Sequence, residues 1–383
     1  MGWRYLAGVL VVVCAACSPR PEPVIESIDV ASALGGAGDE GFLRAVAPRE
    51  FAFPADHAAH PGYRNEWWYL TGNLDAADGR RFGFQLTFFR IQLLPRMPER
   101  ESAWATDTVW MAHFAVSDVA RERHHAFERY ARGAAGIAGA TAAPTAVWLE
   151  DWRLRIPSET EIEWRLEAVE QGVGLRLQLA PHGAVVLQGD RGLSQKSAEP
   201  GNASFYYSIP RLRARGEIAI DGQRHAVTGL AWLDREWSTS ALGPDQAGWD
   251  WFALQFDDGT DLMFYQLRRR DGGVDSHSKG SVSNGASTLS LAADDVIVRV
   301  TEHWTSPSGV RYPGAWQLHL PRIERTLTVR PVFNAQEMDV SVRYWEGAVD
   351  VWDELGAAIG RGYVELAGYR SDDPRSVPAT PRR

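Results

Sequence analysis

Asp234-Arg235-Glu236-Trp237-Ser238-Thr239-Ser240, followed by Gly248-Trp249-Asp250-Trp251-Phe252, sets three carboxylates and an arginine among three tryptophans. If the first string is a strand, side-chain alternation places Asp234 and Glu236 on one face, about 7 Å apart, with Arg235 and Trp237 on the other. Asn65-Glu66-Trp67-Trp68-Tyr69 echoes it, because Glu66 and Glu236, Trp67 and Trp237, and Gln85 and Gln255 stand at one constant interval. That interval predicts two diverged copies of one β unit. Around these strings, runs rich in Trp, Phe, Tyr and Val alternate with short Gly, Asp and Pro turns, at 66–72, 82–93, 108–116, 147–156, 161–169 and 174–179. The rhythm returns at 226–232, 249–256, 261–268, 296–304, 316–323 and 326–330, with Asp257-Asp258-Gly259-Thr260 and Asp271-Gly272-Gly273 as hairpin signals. Closely spaced strands with almost no helical period predict an all-β fold of two tandem antiparallel barrels, since closure removes exposed edges. The chain divides near Val227, giving a first domain over 50–226 and a second over 227–370, with the Asp234 strand able to belong to either side.

A chain of 383 residues, 45% hydrophobic and 23% charged, is long enough for two domains with cores of their own. Sixteen tryptophans suit apolar pockets and interfaces that need one polar handle, so an apolar ligand fits the composition. The net charge of −9, with no Lys/Arg run, argues against nucleic acid as a partner.

Residues 1–17 have the form of a signal peptide, with Arg4, an apolar run over 5–13 and small residues at Ala15-Ala16. That run is far shorter than the roughly 20 residues a membrane-spanning helix takes. Cys14-Ala15-Ala16-Cys17-Ser18 resembles a bacterial lipoprotein box, which makes Cys17 the acylated first residue of the mature chain. Residue 14 departs from the usual Leu, so plain secretion stands as the alternative. Cleavage there leaves no second cysteine, which excludes internal disulfides, Cys-based metal sites and thiol catalysis. Residues 18–49, rich in Pro, Ala and Gly, fit a tether, and 371–383 a frayed tail. The match of Gly36-Ala37-Gly38-Asp39-Glu40-Gly41 to GxGxxG lacks a preceding strand and carries no nucleotide reading.

Several strings resemble signatures of the AttH and carotenoid 1,2-hydratase (CrtC) group of lipocalin-like proteins. They are Asn65-Glu66-Trp67-Trp68-Tyr69-Leu70-Thr71-Gly72-Asn73-Leu74, Met111-Ala112-His113-Phe114-Ala115-Val116-Ser117-Asp118, Phe205-Tyr206-Tyr207-Ser208-Ile209-Pro210-Arg211-Leu212, the 234–252 stretch, Tyr344-Trp345-Glu346-Gly347-Ala348-Val349 and Gly360-Arg361-Gly362-Tyr363-Val364-Glu365-Leu366. The likeness runs from roughly 51 to 369 and implies two tandem lipocalin-like barrels. Of function it implies two things. AttH-type relatives imply a noncatalytic lipid-binding lipoprotein of the cell envelope, facing the periplasm from the outer membrane and exchanging cargo with an ABC transporter. Carotenoid hydratases imply addition of water to an isoprenoid double bond. The membrane tether favours the binder over an enzyme working beside a pigment pathway.

Hydration needs an acid to deliver a proton, an electron-rich surface for a tertiary carbocation and a positioned water. A carboxyl desolvated in an apolar site is protonated at neutral pH, which makes Asp234, Glu236 and Asp250 the candidate catalytic residues. Trp237, Trp249 and Trp251 are candidate cation–π surfaces, and Trp67, Arg235, Glu66 and His113 complete the candidate ligand contacts. The structural alternative is that Arg235 and Trp237, with Glu66 and Trp67, plug a barrel end, as Trp and Arg commonly do in lipocalin-like folds. His57 and His60 resemble family positions at the opening of the first barrel, where loop hydrogen bonding is favoured over a metal because no third ligand is in view. His113, in mid-strand, fits a satisfied core or rim histidine as well as a proton donor. No cofactor is implied. No G-x-S-x-G elbow occurs, and Ser276-His277-Ser278-Lys279 stands alone in a loop, so a hydrolase has no support.

Overall fold

The computed structural model describes residues 28–29, 39–96, 101–157, 163–240 and 242–371. Its strands form two antiparallel sheets, each curled into a lipocalin-like barrel, as the all-β reading anticipates. The first barrel runs in the order Arg123–Arg132, Thr108–Asp118, Arg81–Gln92, Asn65–Ala76, Gln223–Ser238, Ala203–Ile220, Val173–Pro181, Trp164–Glu170, Trp152–Ile156, Thr145–Leu149 and Ala138–Ala142. The second runs Thr288–Ala292, Lys279–Ser283, Asp261–Arg269, Gln246–Phe256, Ala358–Ala367, Val342–Trp352, Arg325–Pro331, Arg311–Leu320 and Ile297–Thr305.

Gln223–Ser238 ladders along its length against Ala203–Ile220 on one side and Asn65–Ala76 on the other. The chain therefore changes barrels between Ser238 and Gln246, not at 226/227, because a strand paired on both sides belongs to the sheet that satisfies its backbone. The constant interval from Glu66 to Glu236 does not relate two copies either. Their strands are antiparallel neighbours, with Glu66 opposite Trp237 and Trp67 opposite Glu236.

The amino-terminal reading meets the described residues only in part. The signal peptide, Cys17 and most of the tail lie outside them. Within the expected tether, Ile28–Asp29 pairs in parallel with Val342–Arg343, and 39–49 packs on the first barrel, with Ala45 buried and Leu43 N donating to Gly62 O at 2.9 Å.

Each barrel holds its own core. The first is filled by Trp68, Leu70, Phe84, Phe114, Trp152, Leu166 and their neighbours, the second by Phe252, Leu254, Trp316, Leu318, Trp345 and Val364. Alternation sends the intervening side chains outward, and where the two outer faces meet they form a third apolar layer: Tyr69, Tyr206, Trp232, Trp251, Met263, Tyr265, Ala348 and Tyr363. Burying each large side chain there is worth about 1.5–3 kcal/mol, which holds the barrels as one unit. Polar links cross the same seam, among them Asn73 Nδ2 to Gly362 O at 3.0 Å and Arg361 NH1 to Asp75 Oδ2 at 2.6 Å.

Candidate functional site

A cleft opens in this inter-barrel layer, with about 850 Å³ of space including its mouth. The first barrel contributes Trp67, Tyr69, Phe89, Lys196, Tyr206, Asp234 and Glu236, and the second Trp249, Trp251, Tyr265, Leu267, Tyr344 and Glu365. Ser238, Ser240 and Leu242, from the segment joining the barrels, line its edge.

The two walls are built alike. Asn65–Ala76 turns Trp67 and Tyr69 outward, and Gln246–Phe256 turns Trp249 and Trp251 outward. In each barrel the neighbouring strand sets a carboxyl directly opposite the second aromatic: Asp234 faces Tyr69, and Glu365 faces Trp251. Gly248 fixes the phase of the second wall. It sits at a bulge with φ 152°, where an added Cβ would meet the Ala367 carbonyl at 2.1 Å, so only glycine lets the strand start Trp249 on the cleft side.

Asp234 Oδ1 accepts hydrogen bonds from Ser208 Oγ at 2.6 Å and Trp232 Nε1 at 2.7 Å, and Oδ2 accepts from the Tyr206 hydroxyl. Burial nevertheless pushes its carboxyl up to about 7, against those donors and with help from the charge of Glu236. Tyr206 in turn accepts from Trp251 Nε1 at 3.1 Å, which ties the two barrels at the acid. Glu236 accepts from Ser204 and lies 2.9 Å from Lys196 Nζ, which also sits 4.2 Å over the Tyr265 ring. Burial disfavours that ammonium, but Glu236 and Tyr265 hold its pKa above the ordinary lysine value.

Glu365 receives one hydrogen bond, from Trp249 Nε1 at 3.1 Å. Burial pushes its carboxyl up to about 8, the Trp249 donor opposing and the charges of Asp234 and Glu236 adding. Behind it, fully buried Glu346 accepts from the Tyr69 hydroxyl at 2.6 Å and is held well above the carboxylate range, first by burial and then by Glu365. The cleft thus gathers, beneath aromatic walls, one carboxyl that favours its neutral form at neutral pH, Glu365, and one that titrates near neutrality, Asp234.

Asp234, Glu236, Trp67, Trp249 and Trp251 line the cleft together, while the remaining sequence candidates lie elsewhere. Arg235 points into the first barrel, donating to Glu66 Oε1, Ala58 O and Trp67 O, each at 2.7 Å, with its guanidinium 3.9 Å from the Trp68 ring centroid. Burial pushes the Glu66 carboxyl up, but Arg235, His60 and Arg90 together outweigh it and hold that carboxyl down to about 2. Trp237 stacks on His60 at 3.6 Å, and His57 Nδ1 lies 2.6 Å from the Tyr207 hydroxyl. These side chains face the interior of the first barrel, away from the cleft.

Asp250 is a second correction. Alternation between Trp249 and Trp251 sends it into the second barrel, where Arg268 Nε donates to it at 2.8 Å and the Tyr369 hydroxyl at 3.0 Å. His113 does not line the cleft. It is fully buried with Nδ1 2.8 Å from the hydroxyl of cleft-lining Tyr344, and burial lowers its pKa to about 3, so it stays neutral. Among the described residues no group of three or more metal-type ligands occurs. Sequence reasoning missed Lys196, Tyr206, Tyr344, Glu346 and Glu365. Glu365 and Glu346 lay inside quoted strings, but only barrel docking brings them to Asp234.

The AttH-like family model matches residues 44–369. The chain belongs to the AttH-like family. It is similar to a solved candidate AttH of Nitrosomonas europaea, with 35% identity over 86% of this chain and 100% of that chain and a TM-score of 0.77. It is also similar to kievitone hydratase of Nectria haematococca, with 13% identity over 85% of this chain and 95% of that chain and a TM-score of 0.63, a likeness of fold. A comparison with curated proteins finds no match. In this AttH-like protein the inter-barrel cleft holds Asp234 and Glu365, the carboxyls raised to about 7 and about 8.

Proposed function

We propose that this AttH-like protein is an acid-catalysed hydratase or isomerase acting on an unsaturated, largely apolar molecule held between its barrels. The observation that carries the reading is the pair Glu365 and Asp234, carboxyls from different barrels raised to about 8 and about 7, with no arginine among the described residues bonded to either. Glu365, mostly protonated at neutral pH, gives its proton to one alkene carbon. The cation forming on the other carbon faces Trp249, Trp251 and Tyr69. Water attacks that carbon and passes a proton to Asp234, so one water is added and the proton count closes when Asp234 returns its proton to Glu365 through solvent. Without water attack, loss of a neighbouring proton to Asp234 gives the isomer. Kievitone hydratase carries that activity by name; here the support is the residues themselves, since the likeness extends to fold.

A noncatalytic carrier is the second reading. It takes the chain as an envelope lipoprotein anchored through Cys17 at the outer membrane, binding a lipid-like molecule and exchanging it with an ABC transporter. What favours it is the lipoprotein box, together with the three donors on Asp234, which would equally suit a structural carboxylate.

The deciding experiment incubates the protein with an envelope lipid extract and analyses bound and released molecules by mass spectrometry. A product heavier by one water, or an isomer of equal mass, that disappears in Glu365→Gln while binding persists supports the enzyme. A ligand recovered unchanged from the wild type rejects it in favour of the carrier.

A further inference from the structure

The cleft mouth is bordered by an apolar rim that the chemistry above does not use. Leu43 is 54% exposed, Val46 69%, Leu93 55%, Leu94 43% and Trp104 60%. Singly exposed apolar residues are ordinary; a group of this size on adjoining loops is not. The loops are joined to one another: Leu43 N donates to Gly62 O at 2.9 Å, Gly62 N to Gln92 Oε1 at 3.0 Å, the residue before Leu93, and Leu93 N to Asp107 O at 2.6 Å, in the loop that carries Trp104. They are also joined to the cleft. Thr239, between cleft-lining Ser238 and Ser240, donates to Leu43 O, and Ser240 Oγ donates at 3.3 Å to Gly201 O, beneath Val46.

We propose that this rim is a lipid-docking surface that seats the cleft mouth against a bilayer, so that an apolar molecule enters from the membrane without crossing water. The chain itself names the occupant. Asp39, paired with Arg44 and Arg64, brings the amino-terminal segment to this rim, and Ile28–Asp29 pairs with Val342–Arg343, next to cleft-lining Tyr344. The stretch from Cys17 to Ile28 spans at most about 40 Å. On the lipoprotein reading of Cys17, on which this step rests, an acyl chain there would hold this end of the molecule near the lipid. One acyl chain anchors only marginally, and inserted Leu and Trp side chains supply the second attachment that stable binding takes.

The test uses the chain from Ser18, which lacks the acylated cysteine; the Nitrosomonas europaea relative, matched along its whole length, was solved as a chain covering 86% of this one. The protein is floated with vesicles of phosphatidylethanolamine and phosphatidylglycerol. Wild type is expected to rise with the vesicles, and the combined Leu93→Ser, Leu94→Ser, Trp104→Ser variant to lose affinity on the order of a hundredfold with an unchanged melting temperature. Leu355→Ser, at a 93% exposed leucine on the far end of the second barrel, is expected to float like wild type. Hydrogen exchange at the Leu43, Leu94 and Trp104 amides should slow only when vesicles are present. Wild type remaining at the bottom of the gradient, or a triple variant floating equally well, overturns the proposal. Neither outcome depends on whether the cleft performs chemistry.

Discussion

Glu66 and Asp234 lie on adjacent strands of one barrel, and alternation sends them to opposite sides of the sheet wall. On the inner side, Glu66 meets Arg235, Arg90 and His60 and is driven to about 2. On the outer side, Asp234 meets hydroxyls and an indole and rises to about 7. The second barrel repeats the contrast, with Asp250 paired to Arg268 inside and Glu365 under one Trp249 donor outside. Burial alone does not determine what these carboxyls become; the balance between burial and nearby cations does. The inner carboxylates are paired with arginines, and the outer carboxyls Asp234 and Glu365 are the acids of the proposed chemistry.

The sharpest break of this division would come from Glu365→Gln. Turnover of the identified substrate is expected to fall about 10²–10⁴-fold, the range of a lost general acid, with stability unchanged or raised. A variant that turns over normally would remove Glu365 from the chemistry.

Arg235→Leu should act in the opposite sense. Leaving Glu66 without its main partner is expected to cost about 3–5 kcal/mol in chemical denaturation, while the folded fraction keeps its turnover within a fewfold. Asp250→Asn should follow the same pattern, and a large loss of kcat at wild-type stability there would show that the inner and outer faces are not separate in role.

The pH dependence of stability should carry both signs. Glu365 rises from 4.5 to about 8 and Asp234 from 3.8 to about 7, so each favours the fold fully below its unfolded value and loses that contribution as pH rises through the folded one. Stability should therefore fall between about pH 5 and 8, by roughly 1–3 kcal/mol, and Glu365→Gln should flatten that fall. Glu66 is lowered from 4.5 to about 2, so its contribution is present above 4.5 and lost as pH falls through 2. Glu66→Gln should flatten that acid limb and lower stability at every pH, because it leaves buried Arg235 without its carboxylate. Smallest of all, Trp249→Phe removes the single donor to Glu365 and should move the alkaline limb of the rate profile upward by less than about one unit.

Much of this was legible in the chain. Tryptophan-rich runs between Gly and Asp turns announced the barrels, and period-two alternation put Asp234 and Glu236 on one face. The same alternation, applied to Trp249-Asp250-Trp251, would have sent Asp250 inward; adjacency to two tryptophans outweighed it in the reading. The constant interval misled because it joins residues on opposite faces of neighbouring antiparallel strands: Glu66 and Trp237 point into the first barrel, Trp67 and Glu236 into the cleft. Glu365 could not be joined to Asp234 from sequence, since their proximity is a product of how two finished barrels dock; Lys196 and Tyr206 reach the acids within the first barrel, through strand pairing and a loop that the sequence does not place.

Asp234 and Glu365 belong to separate folding units that meet at this seam. A molecule lodged between them acts as a staple across two hydrophobic cores. Occupied protein should melt in a single step, whereas loosening the seam lets each barrel come apart on its own schedule, with reactivity lost before either barrel is.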